Sequence, residues 1–347
     1  MKLNLTKIAL FSALISTNSM AINKVIYGND NRVDVHESNK GFLVDSVAAM
    51  VPSYAFLKDE KGKVADTKLL RFPTLKYHRG YPTCGDMRFR DQPTIASCSG
   101  FLIGKNLLMT AGHCMISGGT EVSDQVTSKC RDNKWVFNYN STSVNKDGQL
   151  EIKKSDVYSC KRVVAASYTG SLDYAVVELE REATDKKPLT LNMSTNATAK
   201  GTDIYVAGYP TGLPLKVADG AKVISNPIYS KEIITDLDTF AGNSGSPVLN
   251  KKDEVIGILV AGEIDYAFDF DKGCYKVNVC KKQGGKCERQ SSPLGGTGET
   301  VTKVVSAYTD YKLKEALGPY IFEEGAKSEE EVEEVIEEYE EEYEDEY

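Results

Sequence analysis

Two short runs have the composition and spacing of a nucleophilic site. Thr110-Ala111-Gly112-His113-Cys114 carries one of three histidines in the chain, the others being His36 and His78 in polar, turn-like stretches. Gly242-Asn243-Ser244-Gly245-Ser246-Pro247 sets a serine among glycines. A serine hydroxyl attacks poorly near neutral pH unless a base takes its proton and donors receive the developing oxyanion. His113 is the candidate base and Ser244 the candidate nucleophile. The flanking glycines let the backbone turn sharply and aim the amides of Gly242 and Ser244 at one point, as an oxyanion hole requires. A carboxylate must fix the imidazole tautomer. Asp173 opens the apolar run Tyr174-Ala175-Val176-Val177, whereas its rivals Asp156 and Asp185 open no such run.

Short β-rich runs separated by turn signals must position these residues. The first series is 100–103, 107–111, 135–139, 149–152, 157–166 and 174–179; the second is 203–209, 221–225, 232–235, 247–250, 255–261 and 300–305. Regular short strands with Gly-rich turns predict an all-β protein, a sandwich or a pair of barrels. The polar break at 182–188 is the expected crossing between them. Leu313, Ala316 and Leu317 at helical spacing before Gly318-Pro319 predict a short helix over 311–322.

The order His113, Asp173, Ser244 is the chymotrypsin-type order, and here the sequence resembles the secreted trypsin-like serine endopeptidases, nearest their bacterial glutamyl-endopeptidase-like branch. The resemblance runs from about Gly41 to Lys314. It implies two packed six-stranded antiparallel β-barrels, 41–185 and 186–310, with the triad in the cleft between them. It also implies that Leu259-Val260-Ala261-Gly262 lies where a substrate backbone adds as a strand, and that Cys98 and Cys114 form the disulfide tying the histidine loop. Asn243 stands where trypsin itself has an aspartate receiving the new amino terminus, so that activation contact is not carried over. Six residues before Ser244, Asp238 falls at the offset of the trypsin pocket floor, which implies cleavage after Lys or Arg. The histidine that glutamyl endopeptidases place in the pocket wall is replaced by Leu259. A buried aspartate at 238 either awaits a cationic substrate or is neutralised by a structural partner.

Eight cysteines with so few histidines fit disulfides better than a Cys/His metal scaffold. Cys130 and Cys160 flank neighbouring strands and are the next expected bridge; the pairing of Cys84, Cys274, Cys280 and Cys287 stays open. No metal or other cofactor is expected. Residues 1–21 join Lys2 and Lys7 to an apolar run and small residues at Ser19-Met20-Ala21, the pattern of a secretory signal peptide. The run is too short for a permanent anchor, so no membrane anchor is expected. Residues 22–40 form an amino-terminal arm or pro-segment.

The formal net charge is −8, but residues 323–347 hold fifteen acidic residues and one Lys, or −14. Without that tail and the leader, 39 basic residues face 35 acidic ones, or +4. No basic tract or aromatic-basic interleaving suggests nucleic acid. The tail is compositionally disordered, a solubilising appendage or an intramolecular partner of the mildly basic body. The partner expected from the whole pattern is a protein or peptide substrate. Two rivals are a protease-like binding or adhesion protein without turnover and an esterase using the same triad. The triad is complete, against the first, and its order is not that of the hydrolases whose serine comes first, against the second.

Overall fold

A computed structural model describes residues 26–313 except 59–63, 70–71, 146–149, 228, 263, 281, 284–285, 288–297 and 311–312. The leader and the acidic tail lie outside the described residues. Six strands close the first barrel: β1 (Val47–Pro52), β2 (Cys98–Leu102), β3 (Leu107–Thr110), β4 (Asn133–Val136), β5 (Val157–Tyr168) and β6 (Asp173–Leu179). They join in the order β5-β4-β1-β2-β3-β6, and β6 returns to β5. The second barrel uses β7 (Asp203–Gly208), β8 (Lys216–Ser225), β9 (Glu232–Thr235), β10 (Pro247–Asn250), β11 (Val255–Ala261) and β12 (Glu299–Lys303). Its order is β7-β10-β11-β12-β9-β8, closed by β8 on β7. All these pairs are antiparallel. The fold is therefore the all-β double barrel expected from the chymotrypsin-like resemblance, and ring closure removes open sheet edges.

Burial explains why the strands sit as they do. Ile204, Val206, Val223, Ile233, Val248, Ile256, Leu259 and Val301 fill the second barrel. The first barrel's core, around Phe101, Trp135, Val163 and Val177, runs without a break into Tyr209, Leu215 and Val260 of the second. At that seam the rings of Tyr139 and Tyr209 stack with centroids 5.7 Å apart. Their hydroxyls donate across the seam, Tyr139 to Gly212 O at 3.1 Å and Tyr209 to Val47 O at 3.0 Å. Buried tyrosines that find such acceptors fix the relative placement of the two layers. The linker is pinned as well, because Lys186 Nζ pairs with Asp156 at 2.7 Å and Asp185 at 3.0 Å.

Several elements differ from the sequence expectation. Of the run 149–152, residue 149 lies outside the described residues and 150–152 form no strand: Leu150 makes only an isolated bridge with Val144, and the buried Leu150 and Ile152 fill the core from a loop outside the closed ring. The missing barrel strand is β1, whose Val-Ala-Ala-Met-Val run is buried on both faces and so has no alternation to reveal it. A short helix, α1 (Val304–Tyr308), follows β12 directly. Of the helix expected over 311–322, only the buried Leu313 belongs to the described residues. The amino-terminal arm is built into the second barrel: Arg32–Asp34 pairs with β8, and Ile26–Tyr27 runs parallel to Val279–Cys280.

Candidate active site

Three disulfides shape the site's surroundings: Cys98–Cys114, Cys130–Cys160 and Cys84–Cys274. The first two are the expected pairs, and the third resolves part of the open set; the side chains of Cys280 and Cys287 lie outside the described residues. Cys98–Cys114 spans 16 residues and ties β2 to the turn that follows β3. Replacing both cysteines by alanine is expected to lower stability by roughly 3 kcal/mol from loop entropy, read by denaturant melts of oxidised protein. Cys98, His113 and Cys114 cluster closely, but two of these sulfurs form a disulfide and are not thiolate ligands.

His113 follows β3, and Asp173 begins β6, the strand paired with β3. Asp173 Oδ1 accepts the His113 backbone N–H at 3.0 Å, and Oδ2 accepts Nδ1–H at 2.7 Å. One carboxylate thus holds both the loop and the ring, leaving Nε2 as the imidazole's free acceptor. Glu232 senses the same charge: burial first, and Asp173 second, push its carboxyl up to about 7.

Sequence reasoning missed Lys129, which donates to the His113 carbonyl at 2.6 Å. It sits on the short helix Ser128–Asp132, whose cap is Thr127 Oγ1 accepting Cys130 N–H at 3.1 Å. Cys130–Cys160 fastens that helix to β5. The second disulfide therefore stabilises the histidine loop through Lys129, a link no local pattern could reveal.

The serine loop docks on the first barrel. Ser99 N–H donates to Ser244 O at 2.8 Å, and Cys114 Sγ lies 3.7 Å from the same oxygen. Gly242 and Gly245 have φ of +95° and +87°, a region side chains other than glycine rarely enter. A methyl group on Gly245 would also overlap Ser99 O and the Thr110 hydroxyl. Asn243 and Gly245 N–H groups are committed to Phe240 O and Leu259 O. Among the described residues the amides of Gly242 and Ser244 donate to no protein acceptor, so the two amides expected to face an oxyanion are the uncommitted ones.

The specificity residues fall differently from the expectation. Asp238 is 4% exposed, and its oxygens accept Tyr27 N–H at 2.7 Å and Asn31 N–H at 2.9 Å. It is bound by the arm, the structural partner that the sequence left as one of two options. Burial pushes its carboxyl up to about 6, against those two N–H groups. The arm is reinforced by Arg32, which pairs with Asp30 at 2.8 Å and lies 3.9 Å over the Phe240 ring. Leu259 points into the core of the second barrel. Pairing of β10 with β11 ends at Ile258, so beyond the Leu259 contacts to the serine loop the β10 side of Val260, Ala261 and Gly262 has no strand beside it among the described residues, while on the other side Ala261 pairs with Thr300 of β12.

Residues 98–258 match the family model described as the trypsin-like peptidase domain. Among solved structures the chain is similar to a Glu endopeptidase, at 17% identity and TM-score 0.45 over 84% of this chain and 100% of that one. It is similar also to the VesB protease of Vibrio cholerae, at 17% identity and TM-score 0.44 over 82% of this chain and 67% of that one. The matched residues run from β2 into β11 and so reach both barrels; residues 98–258 carry a trypsin-like peptidase domain, and the protein is a serine endopeptidase of chymotrypsin-like fold.

Proposed function

We propose that the protein hydrolyses peptide bonds through an acyl-enzyme, with Ser244 as nucleophile, His113 as base and then acid, and Asp173 as the group that orients the ring. The observation that carries this reading is the double contact of Asp173 with His113, at 2.7 and 3.0 Å. It fixes the tautomer in which Nε2 accepts the serine proton. The Gly242 and Ser244 amides would then receive the oxyanion, and the substrate backbone would add beside Val260 to Gly262.

The finer reading is cleavage after Lys or Arg. Its support is the offset of Asp238, six residues before Ser244, and the presence of two buried carboxylates, Asp238 and Glu299, beside that loop; an acidic substrate side chain brought near them would meet like charge in a low dielectric. Three disulfides support an oxidising compartment outside the cytoplasm, and among the described residues no helix is long and apolar enough to cross a membrane.

Incubation with a fluorophosphonate should label Ser244 alone, and a peptide library should be cut after Lys and Arg. Labelling at another residue would remove the triad assignment. A profile dominated by Glu would remove the basic specificity while leaving the triad standing.

A further inference from the structure

Two hairpins beside the serine loop share one aromatic face. The run Tyr266-Ala267-Phe268-Asp269-Phe270 alternates with period two, which sets its three rings on one side. Tyr266 is buried against Phe240, with ring centroids 5.3 Å apart, Phe268 is half-buried, and Phe270 is 88% exposed. Across that hairpin Tyr275 is the register partner of Phe268, with centroids 5.1 Å apart. The second hairpin supplies the cross-strand pair His78 and Tyr81. His78 lies 4.5 Å from Tyr266, and Tyr81, 56% exposed, lies 5.4 Å from Phe268. The Cys84–Cys274 disulfide and the bond from Cys84 N–H to Tyr275 O at 2.9 Å lock one hairpin to the other. The rings thus form a continuous, braced face that runs from Phe240, four residues before Ser244, out to solvent at Phe270.

We propose that this face is a second substrate-binding surface, which takes an apolar or aromatic stretch of a protein substrate several residues from the scissile bond. The proposal rests on the peptidase reading and on substrate addition beside Val260 to Gly262. Continuity and charge identify the occupant. Tyr266 lies four residues past Gly262, so the hairpin's foot follows the substrate edge directly. Asp265 Oδ2 accepts the Ala241 N–H of the serine loop at 3.0 Å, and the hydroxyls of Tyr266 and Thr211 are 2.7 Å apart. An extended chain advances about 3.3 Å per residue, so the end of a substrate that leaves the edge past Gly262 reaches the rings within a few residues. Residues 76–86 and 264–277 hold four basic side chains, Lys76, Arg79, Lys272 and Lys276, and four acidic ones, Asp86, Asp265, Asp269 and Asp271. Lys76 is paired with Asp91 and Lys276 with Asp269. Balanced charge gives no pull on a polyanion or an anionic lipid surface. What the face offers is aromatic contact area on held rings, which an apolar stretch can cover at little cost in ordering.

The test compares peptides of about fifteen residues, long enough to pass the edge and reach the rings. All share one central sequence taken from the wild type's own cleavage profile, and they differ only in ends that are polar throughout or carry Phe-Leu-Phe at the amino or the carboxy end. Enzyme is counted by fluorophosphonate titration, so failure of the peptidase reading shows as neither labelling nor cleavage, whatever the ends. An apolar cluster at one end is expected to raise kcat/KM about tenfold, through KM. The double variant Tyr81→Ser, Phe270→Ser removes the exposed rings and is expected to bring the ratio of apolar-ended to polar-ended peptide down to about one. No gain at either end in the wild type, or a gain that survives both substitutions, overturns the proposal. If the double variant yields no titratable enzyme, Phe270→Ser alone decides, since a ring 88% exposed contributes little to folding. The ratio must then fall about threefold or more, and a constant ratio overturns the proposal. Sedimentation velocity and flotation with phosphatidylcholine vesicles test the other occupants. A wild-type dimer, or vesicle binding, that the double variant loses would give the face to a second copy or to a membrane and overturn the substrate assignment.

Discussion

Ser244→Ala is expected to lose about six orders of magnitude in kcat while melting within a degree or two of the wild type, and to take up no fluorophosphonate. The variant deletes the attacking oxygen but little volume, and the loop's main contacts are backbone ones, Ser244 O from Ser99 N–H and Gly245 N–H to Leu259 O. Its stability should therefore be untouched. His113→Ala should cost about as much, and the double variant little more, because a base without a nucleophile and a nucleophile without a base are equally idle. Turnover in Ser244→Ala above the residual that amides and binding alone supply would mean that another group attacks. Additive losses in the double variant would mean that Ser244 and His113 do not share one step.

The nucleophilic half of this site was legible because its chemistry imposes local patterns. Glycines around Ser244 meet positive φ and a close approach to Ser99 and Thr110, and both demands leave their mark on residue type. Asp173 could be singled out because a carboxylate at the head of a wholly buried strand is unusual, and β6 is buried along its length. Strand spacing was enough for an all-β sandwich or pair of barrels, the two barrels came from the chymotrypsin-like resemblance, and β1, a strand apolar on both faces, was missed. What governs the specificity region was not legible, since its contacts join distant segments. Tyr27 meets Asp238 across 211 residues and Thr239 meets Glu299 across 60. The Cys84–Cys274 bridge spans 190. Loop offset alone placed Asp238 in the pocket, but offset says nothing of a side chain's direction, and the arm that claims the carboxylate belongs to a segment with no strand-like alternation.

That arm contact carries the largest expected change in stability. Asp238→Ala is expected to destabilise the protein by about 2–6 kcal/mol, because the buried N–H groups of Tyr27 and Asn31 each lose their acceptor at about 1–3 kcal/mol. Amide exchange at Tyr27 and Asn31 should quicken well before the barrel strands open. The pH dependence has a definite sign. Burial holds the folded carboxyl at about 6, above the ordinary 3.8, so the folded state binds the proton more tightly than the unfolded one. The stability contributed by protonation is fully present below about pH 4 and is lost as pH rises through about 6. The gap between wild type and Asp238→Ala should accordingly be widest in acid and narrow by up to about 3 kcal/mol near neutrality, two pKa units at about 1.4 kcal/mol each. Denaturant melts of both proteins across that range, taken as differences, cancel the other titrating groups. A gap that widens with rising pH would mean that the two amides and Arg32 outweigh burial and hold Asp238 as a favoured anion. A gap near zero at every pH would mean that the arm does not depend on Asp238, and would return that carboxylate to the substrate pocket.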